Sequence, residues 1–261
     1  MLLRWKNCLL ALWLLMASAL ASAQPAPAIA AASDLKFALD EIAETFRKDT
    51  RQTLRISYGS SGNFARQIAQ DAPFELFLSA DESYVFQLAK QNHTPDRGQL
   101  YAVGRIVLFA PHGSPLNVDA QLTDLRAALS DGRIVRFAIA NPEHAPYGRA
   151  AMQALQSAGL WDTLRARLVM GENVSQAAQF AASGSTQGGI FAYSLALAPA
   201  FGARGAYVLI PDKLHQPLRQ RMVLTRKAGP TARIFYEYLQ QPTARAVLKR
   251  HGFALPGESL N

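Results

Sequence analysis

The residues with the clearest chemical potential form a glycine- and serine-rich turn, Gly59-Ser60-Ser61-Gly62. Apolar and polar residues alternate over 54–58 before it, which is typical of a half-buried strand, and Phe64 and Ile68 after it have helical spacing. A strand, a Gly/Ser turn and a helix N-terminus together present backbone N–H groups and hydroxyls to an anion. An ordinary turn with Ser61 as the helix N-cap explains the same residues, so this turn alone does not decide its role.

Ser33 repeats the same arrangement earlier in the chain. Residues 28–32 are a short apolar run that predicts a buried strand, and apolar residues over 35–46 recur at helical spacing. Ser33 therefore lies where a strand ends and a helix begins, as Ser61 does. Two such serines favour an anion site over two unrelated helix caps.

The rest of the chain alternates predicted strands with predicted helices. Strands are predicted over 74–78, 104–110, 134–140, 168–170, 188–191, 207–210 and 222–225, and two helices over 230–240 and 242–250 close the chain. This alternation predicts an α/β protein with mostly parallel sheets, whose ligands bind beyond the carboxyl ends of the strands. Tyr147 and Val174 lie at such strand-to-helix junctions, as do the two serines.

Composition and charge indicate a globular protein that does not bind nucleic acid. The chain has 261 residues, of which 49% are hydrophobic, enough for a large core in one or two domains. The formal net charge is +8, but the basic residues are scattered and form no run longer than a doublet. We therefore expect a solvated basic surface and no nucleic-acid partner.

The N-terminus has the pattern of a secretory signal peptide. Arg4 and Lys6 are followed by an almost wholly apolar stretch over 8–20 and by the small-residue site Ala21-Ser22-Ala23. The apolar stretch is too short for a comfortable membrane span. We expect cleavage after residue 23, which removes Cys8, the only cysteine, and so excludes a disulfide scaffold and thiol catalysis. A soluble exported protein is the result.

Several segments, in one order along the chain, resemble a known family. They are AAASDL at 30–35, GSSG at 59–62, APFELFLSAD at 72–81, NPEHAPYG at 141–148, ENV at 172–174, and the ending YEYL at 236–239 with KRHGF at 249–253. Together they are similar to periplasmic molybdate-binding proteins, the substrate-binding subunits of molybdate ABC transporters. The resemblance implies a type II periplasmic binding fold, with a ligand cleft between two α/β lobes. It places lobe I at 24–102 plus 224–261 and lobe II at 103–223.

The resemblance also implies how the ion is held. Ser33 and Ser61 would each give a hydroxyl and a backbone N–H from lobe I, and Tyr147 and Val174 would give backbone N–H groups from lobe II. Asp34 stands where one branch of the family has an amide residue. Because a carboxylate repels a dianion, we expect its side chain to turn away and only its N–H to serve the ion. The resemblance implies molybdate or tungstate as the ligand, with no cofactor.

Other residues are weaker candidates for binding the ion or a metal. Another branch of the family has a ligand tyrosine at the position of Ala192, and we expect the neighbouring Tyr193 to be structural. His144 follows Glu143, but no third residue has the spacing of a metal ligand, so no metal site is expected.

Two other functions stay open beside the favoured one. The same-class alternative is a receptor for sulfate or another tetrahedral oxyanion. The different-class alternative is an exported α/β hydrolase acting on phosphorylated or sulfated substrates, against which the absence of a G-x-S-x-G elbow counts. We expect a monomeric periplasmic protein, not an enzyme, that passes molybdate to a membrane permease.

Overall fold

The computed structural model describes residues 25–257, so the predicted signal peptide, residues 1–23, lies outside the described residues. The strands are β1 (Ala28–Ala32), β2 (Arg55–Gly59), β3 (Leu76–Ser79), β4 (Gln99–Gly104), β5 (Ile106–Pro111), β6 (Phe137–Ala140), β7 (Leu168–Gly171), β8 (Gly188–Ala192), β9 (Gly205–Leu209) and β10 (Leu218–Leu224). The helices are α1 (Lys36–Thr50), α2 (Ser61–Ala69), α3 (Glu82–Lys90), α4 (Thr123–Ser130), α5 (Pro146–Ser157), α6 (Trp161–Leu164), α7 (Val174–Ala182), α8 (Tyr193–Ala196), α9 (Pro199–Gly202), α10 (Pro230–Tyr238) and α11 (Pro242–Arg250). Short 3₁₀ turns cover Ser33–Leu35, Arg165–Arg167 and Asp212–Leu214.

The strands form two five-stranded sheets, which confirms the predicted two-lobed α/β fold. The first has the order β2-β1-β3-β10-β4 and the second the order β7-β6-β8-β5-β9. The chain crosses between them at Arg105 and again after Leu209. The predicted lobe boundaries, 102/103 and 223/224, stay a prediction; in the first sheet, β4 ends at Gly104 and β10 runs from Leu218 to Leu224.

The prediction of mostly parallel sheets is confirmed in strand direction, since four of the five strands in each sheet run the same way, but one antiparallel strand makes each sheet mixed. In the first sheet β1 is parallel to β2 and β3, but β10 is antiparallel to both of its neighbours. In the second sheet β6 is parallel to β7 and β8, whereas β5 is antiparallel to both of its neighbours. Strands β5 and β10 each enter directly from the other sheet, without the helical crossover that parallel neighbours need, so they can pair antiparallel.

Burial explains why the central strands read as apolar runs. All five residues of β1 are buried, because the strand lies in the middle of its sheet with helices on both faces. On α1, Leu39, Ile42 and Phe46 form the buried face that the helical spacing predicted. Among residues 25–257, no helix is both long and apolar enough to cross a membrane.

The ends of the parallel strands position the site. Strands β1 and β2 lead into Ser33 and α2 in the first lobe, and β6 and β7 lead into α5 and α7 in the second. The two sets meet directly, since the Gly62 N–H donates to the His144 carbonyl across the lobes at 2.9 Å.

Candidate functional site

Every residue predicted for the anion site lines one closed cavity. Ser33, Asp34, Ser61, Tyr147 and Val174 all contribute to its wall, and each is at most 4% exposed. The cavity volume is about 10 Å³. Pockets for organic ligands are far larger, at roughly 300–1,000 Å³, so this cavity is too small for an organic ligand.

Three of these residues stand in the first turns of helices. Ser61 and Val174 are the first residues of α2 and α7, and Tyr147 is the second residue of α5 after Pro146. No intrahelical carbonyl can accept from N–H groups in these positions. Among the described residues, no backbone carbonyl accepts from them either. The positive ends of three helices therefore converge on the cavity.

Ser61 is held in place by the end of strand β3. Its Oγ accepts the Ala80 N–H at 2.9 Å, and the side chain is fully buried. The interpretation of Ser61 as an N-cap is wrong, because Ser60 occupies that position in extended conformation. Since the Ser61 oxygen already accepts a bond, its hydroxyl hydrogen stays available as a donor to an anion.

The Ser33 hydroxyl has a partner in the other lobe. It donates to Oδ1 of Asn173 at 3.0 Å, and the same Asn173 oxygen caps α7 by accepting from the N–H groups of Ser175 and Gln176. Ser175 returns a bond from its Oγ to the Ser33 carbonyl at 2.9 Å. Ser33 thus joins the lobes in this structure, and its role toward an ion stays a prediction.

The two oxygens of the buried Asp34 carboxylate differ in their hydrogen bonds. Its Oδ2 accepts from the Tyr147 hydroxyl at 2.9 Å and from Nε2 of Gln220 at 2.6 Å. Tyr101 in turn donates to Oε1 of Gln220 at 2.6 Å. The other oxygen, Oδ1, is buried and has no partner within residues 25–257. Burial raises the pKa of Asp34 to about 6, although the bonds from Gln220, Tyr147 and its own backbone N–H lower it.

Sequence reasoning missed Gln220 and Asn173, which complete this arrangement. Gln220 lies 186 residues after Asp34 on β10 and is fully buried there. A lone glutamine in a predicted strand gives no signal of such a contact. Asn173 did have a sequence signal, because it directly precedes a predicted helix, as N-cap residues do.

The two weaker candidates have ordinary partners. Tyr193 packs under the Arg105 guanidinium, whose carbon lies 4.8 Å from the ring centroid. His144 pairs its Nδ1 with the Ser60 hydroxyl at 3.1 Å, and its Nε2 lies 3.5 Å from the Glu172 carboxylate. Within residues 25–257, no three His, Cys, Asp or Glu side chains come together as a metal site would require.

Two α/β lobes that close over a small cavity of neutral hydrogen-bond donors define a substrate-binding protein. Residues 28–254 match the model of the bacterial extracellular solute-binding proteins, and the chain belongs to that family.

Individual relatives indicate which kind of solute-binding protein this chain is similar to. The chain is 34% identical over 246 residues to the molybdate-binding protein ModA of Rhodobacter capsulatus, covering 93% of this chain and 94% of that one. It is 32% identical over 232 residues to ModA of Escherichia coli, covering 86% and 87%. Among solved structures, the periplasmic molybdate-binding protein of Azotobacter vinelandii superposes with a TM-score of 0.80 at 32% identity, over 88% of this chain and 99% of that one.

Proposed function

We propose that this chain binds molybdate, and tungstate with it, in the periplasm and delivers the ion to the permease of an ABC transporter. The relatives at 32–34% identity that are named for molybdate binding support the ligand. The observation that carries the proposal is the meeting of three helix N-termini and two serines on one small closed cavity.

The chemistry of the wall agrees with a dianion. Among the described residues that line the cavity there is no Lys, Arg or His, so neutral N–H and O–H groups must hold the charge. A buried dianion is costly unless it is fully hydrogen-bonded, and charge-assisted bonds from several helix N-termini meet that need. We assign the hydroxyls and N–H groups of Ser33 and Ser61, and the N–H groups of Tyr147 and Val174, to the ion. To serve it, the Ser33 hydroxyl must leave Oδ1 of Asn173. The Asp34 N–H, which here bonds to its own carboxylate, completes the set by turning to the ion.

One observation favours a second candidate, a protonated oxyanion such as phosphate. Asp34 lines the cavity and its Oδ1 is an acceptor without a partner among the described residues, and hydrogen phosphate carries an O–H that needs one. Sulfate, like molybdate, has no proton to donate at neutral pH, and differs from it in size.

Calorimetric titration of the signal-free chain with molybdate, tungstate, sulfate and phosphate separates these candidates. We expect tight binding of molybdate and tungstate, weak binding of sulfate and no measurable binding of phosphate. Preference for phosphate or sulfate would contradict the proposal. Light scattering on the same sample checks the expected monomer, and the absence of turnover of chromogenic phosphate and sulfate esters checks that the chain is not a hydrolase.

A further inference from the structure

Asp34 is the one carboxylate that lines the cavity among the described residues. It belongs to the first lobe, yet one of its two donors, Tyr147, comes from the second. When the lobes separate, the Tyr147 hydroxyl must leave Oδ2 and the carboxylate must meet water. Closing the cleft therefore changes the surroundings of this acidic group.

The groups that face Asp34 are all neutral. Tyr147 reaches it from α5 and Gln220 from β10, with Tyr101 of β4 behind Gln220. Ser194 of α8 donates to its backbone carbonyl at 2.8 Å. The pKa values of Tyr101 and Tyr147 are raised well above their ordinary value, chiefly by burial, so both stay neutral. Within the described chain, no Lys, Arg or His bonds to the carboxylate to balance its charge.

An ionised Asp34 and a bound dianion are chemically incompatible neighbours. Both accept hydrogen bonds and neither donates, and closure removes water from both. A protonated Asp34 has the opposite character, because its Oδ1–H needs an acceptor and the protein supplies none. An oxyanion oxygen is such an acceptor.

We propose that closure on molybdate takes up one proton onto Oδ1 of Asp34, which then donates a hydrogen bond to an oxygen of the ion. This proposal deepens the proposed function and rests on it. The proton comes from bulk water as the cleft closes, with the carboxylate becoming a neutral carboxylic acid and no other bond changing. Opening at the permease returns the proton to water, and the restored carboxylate repels the ion that must leave.

The pKa of Asp34 supports the direction of this coupling. It is about 6 in the closed cavity without an ion, compared with 3.8 ordinarily, because burial disfavours the charged form. A bound dianion raises it further, since a nearby negative charge disfavours a second one. In the open form, exposure to water restores an ordinary value. At a pH above the open-form pKa of Asp34 and below its bound-form pKa, the protein therefore takes up a proton when the ion binds. In that range its affinity for the ion falls as the pH rises.

The test is molybdate titration calorimetry at pH 6.0 in two buffers with different ionisation enthalpies. The difference in heat between buffers gives the number of protons taken up. We expect more than about half a proton for the wild-type chain and none for Asp34→Asn, whose amide donates permanently. Asp40→Asn is the matched control, because it removes a carboxylate that is bonded to Tyr58 and Lys36 outside the cavity. It should keep the proton uptake of the wild-type chain.

Affinity against pH provides the second measurement. From pH 5.5 to 8.5, the wild-type Kd should rise with pH, by up to about tenfold per unit until the pH passes the bound-form pKa, and that of Asp34→Asn should stay flat. Wild-type binding with no proton uptake and a flat pH profile would overturn the coupling and leave molybdate binding intact. Absence of molybdate binding at every pH would overturn the proposed function as well. If Asp34→Asn fails to fold, the wild-type buffer and pH dependence still decide the question.

Discussion

The two sides of the cleft present an anion with different kinds of donor. In the first lobe, the residues are serines, and their hydroxyls are already fixed by specific bonds: Ser61 accepts from Ala80, and Ser33 donates to Asn173. In the second lobe, the side chains of Tyr147 and Val174 are not serine-like donors. Tyr147 directs its hydroxyl to Asp34, and Val174 is apolar, so only their backbone N–H groups are left for an ion.

This difference predicts that side chains of the first lobe and backbone N–H groups of the second lobe determine the affinity for the ion. Substitutions of side chains in the first lobe should change affinity directly. In the second lobe, a side-chain substitution should matter only if it removes the N–H or prevents closure. The predictions below test that division, from the largest expected effect to the smallest.

Gly62→Val should give the largest loss of affinity, because Gly62 lies at the contact between the lobes. A Cβ there would stand 2.7 Å from the His144 carbonyl and 2.8 Å from the Tyr84 hydroxyl. Overpacking of this kind costs about 3 kcal/mol at the upper end of its usual range, or roughly 150-fold in Kd if it acts only on the closed form. Titration with molybdate measures it.

The control is Gln67→Val, which introduces the same side chain at an exposed position of the same helix. It should bind as the wild type does. Wild-type affinity in Gly62→Val would mean that the lobes do not close at this contact when the ion binds.

Ser61→Ala removes a first-lobe donor and should lower molybdate affinity by roughly 10- to 150-fold, the equivalent of one charge-assisted bond of about 1.5–3 kcal/mol. It also leaves the buried Ala80 N–H without its acceptor, which should destabilise the fold by about 1–3 kcal/mol. Ligand-free melting and molybdate titration on the same variant separate the two effects.

Ser79→Ala is the matched control for Ser61→Ala. Ser79 is also fully buried in the first lobe, and its Oγ accepts the Asp81 N–H at 3.2 Å, but it does not line the cavity. It should lose stability without losing affinity. Equal losses of affinity in both variants would show that Ser61 acts through the fold alone.

Val174 allows the backbone and the side chain to be tested separately. Val174→Pro deletes the N–H at a first helical position, where proline is tolerated, and the preceding Asn173 is already extended. We expect a loss of affinity of roughly 10- to 150-fold. Val174→Ala keeps the N–H and should change affinity by no more than about threefold, the smallest effect in the series. Similar affinities for the two variants would remove Val174 from the site.

The sequence predicted the elements around the cavity well because local signals mark them. The apolar run of β1, the Gly/Ser turn after β2 and the asparagine before α7 each indicate a strand end or a helix start. The two-sheet fold and the family followed from the resemblance of whole segments. Strand β4 was missed, and β10 was predicted only from residue 222, because strands at the crossings between sheets have no distinct periodicity.

The long-range contacts of the site lay beyond sequence reasoning. The bond from Gln220 to Asp34 joins residues of the first lobe that are 186 positions apart, and the Ser33–Asn173 bond joins the two lobes across 140 positions. Such pairs depend on the tertiary arrangement of the strands and lobes, which no local pattern encodes. The position of Ser61, one residue inside the helix, differs from the N-cap interpretation for a simpler reason. Two serines stand together there, and element boundaries are uncertain by a residue or more.

The central claim is that one tetrahedral oxyanion sits where the helix N-termini meet. Its most direct test is a crystal structure of the signal-free chain with tungstate, because the anomalous signal of tungsten locates the ion without assumptions. We expect a single strong peak inside the cavity, with ion oxygens within hydrogen-bond distance of the N–H groups of Ser61, Tyr147 and Val174. A peak outside this cavity, for example in the surface groove that Lys90, Arg97 and Arg226 line, together with an empty cavity, would contradict the account.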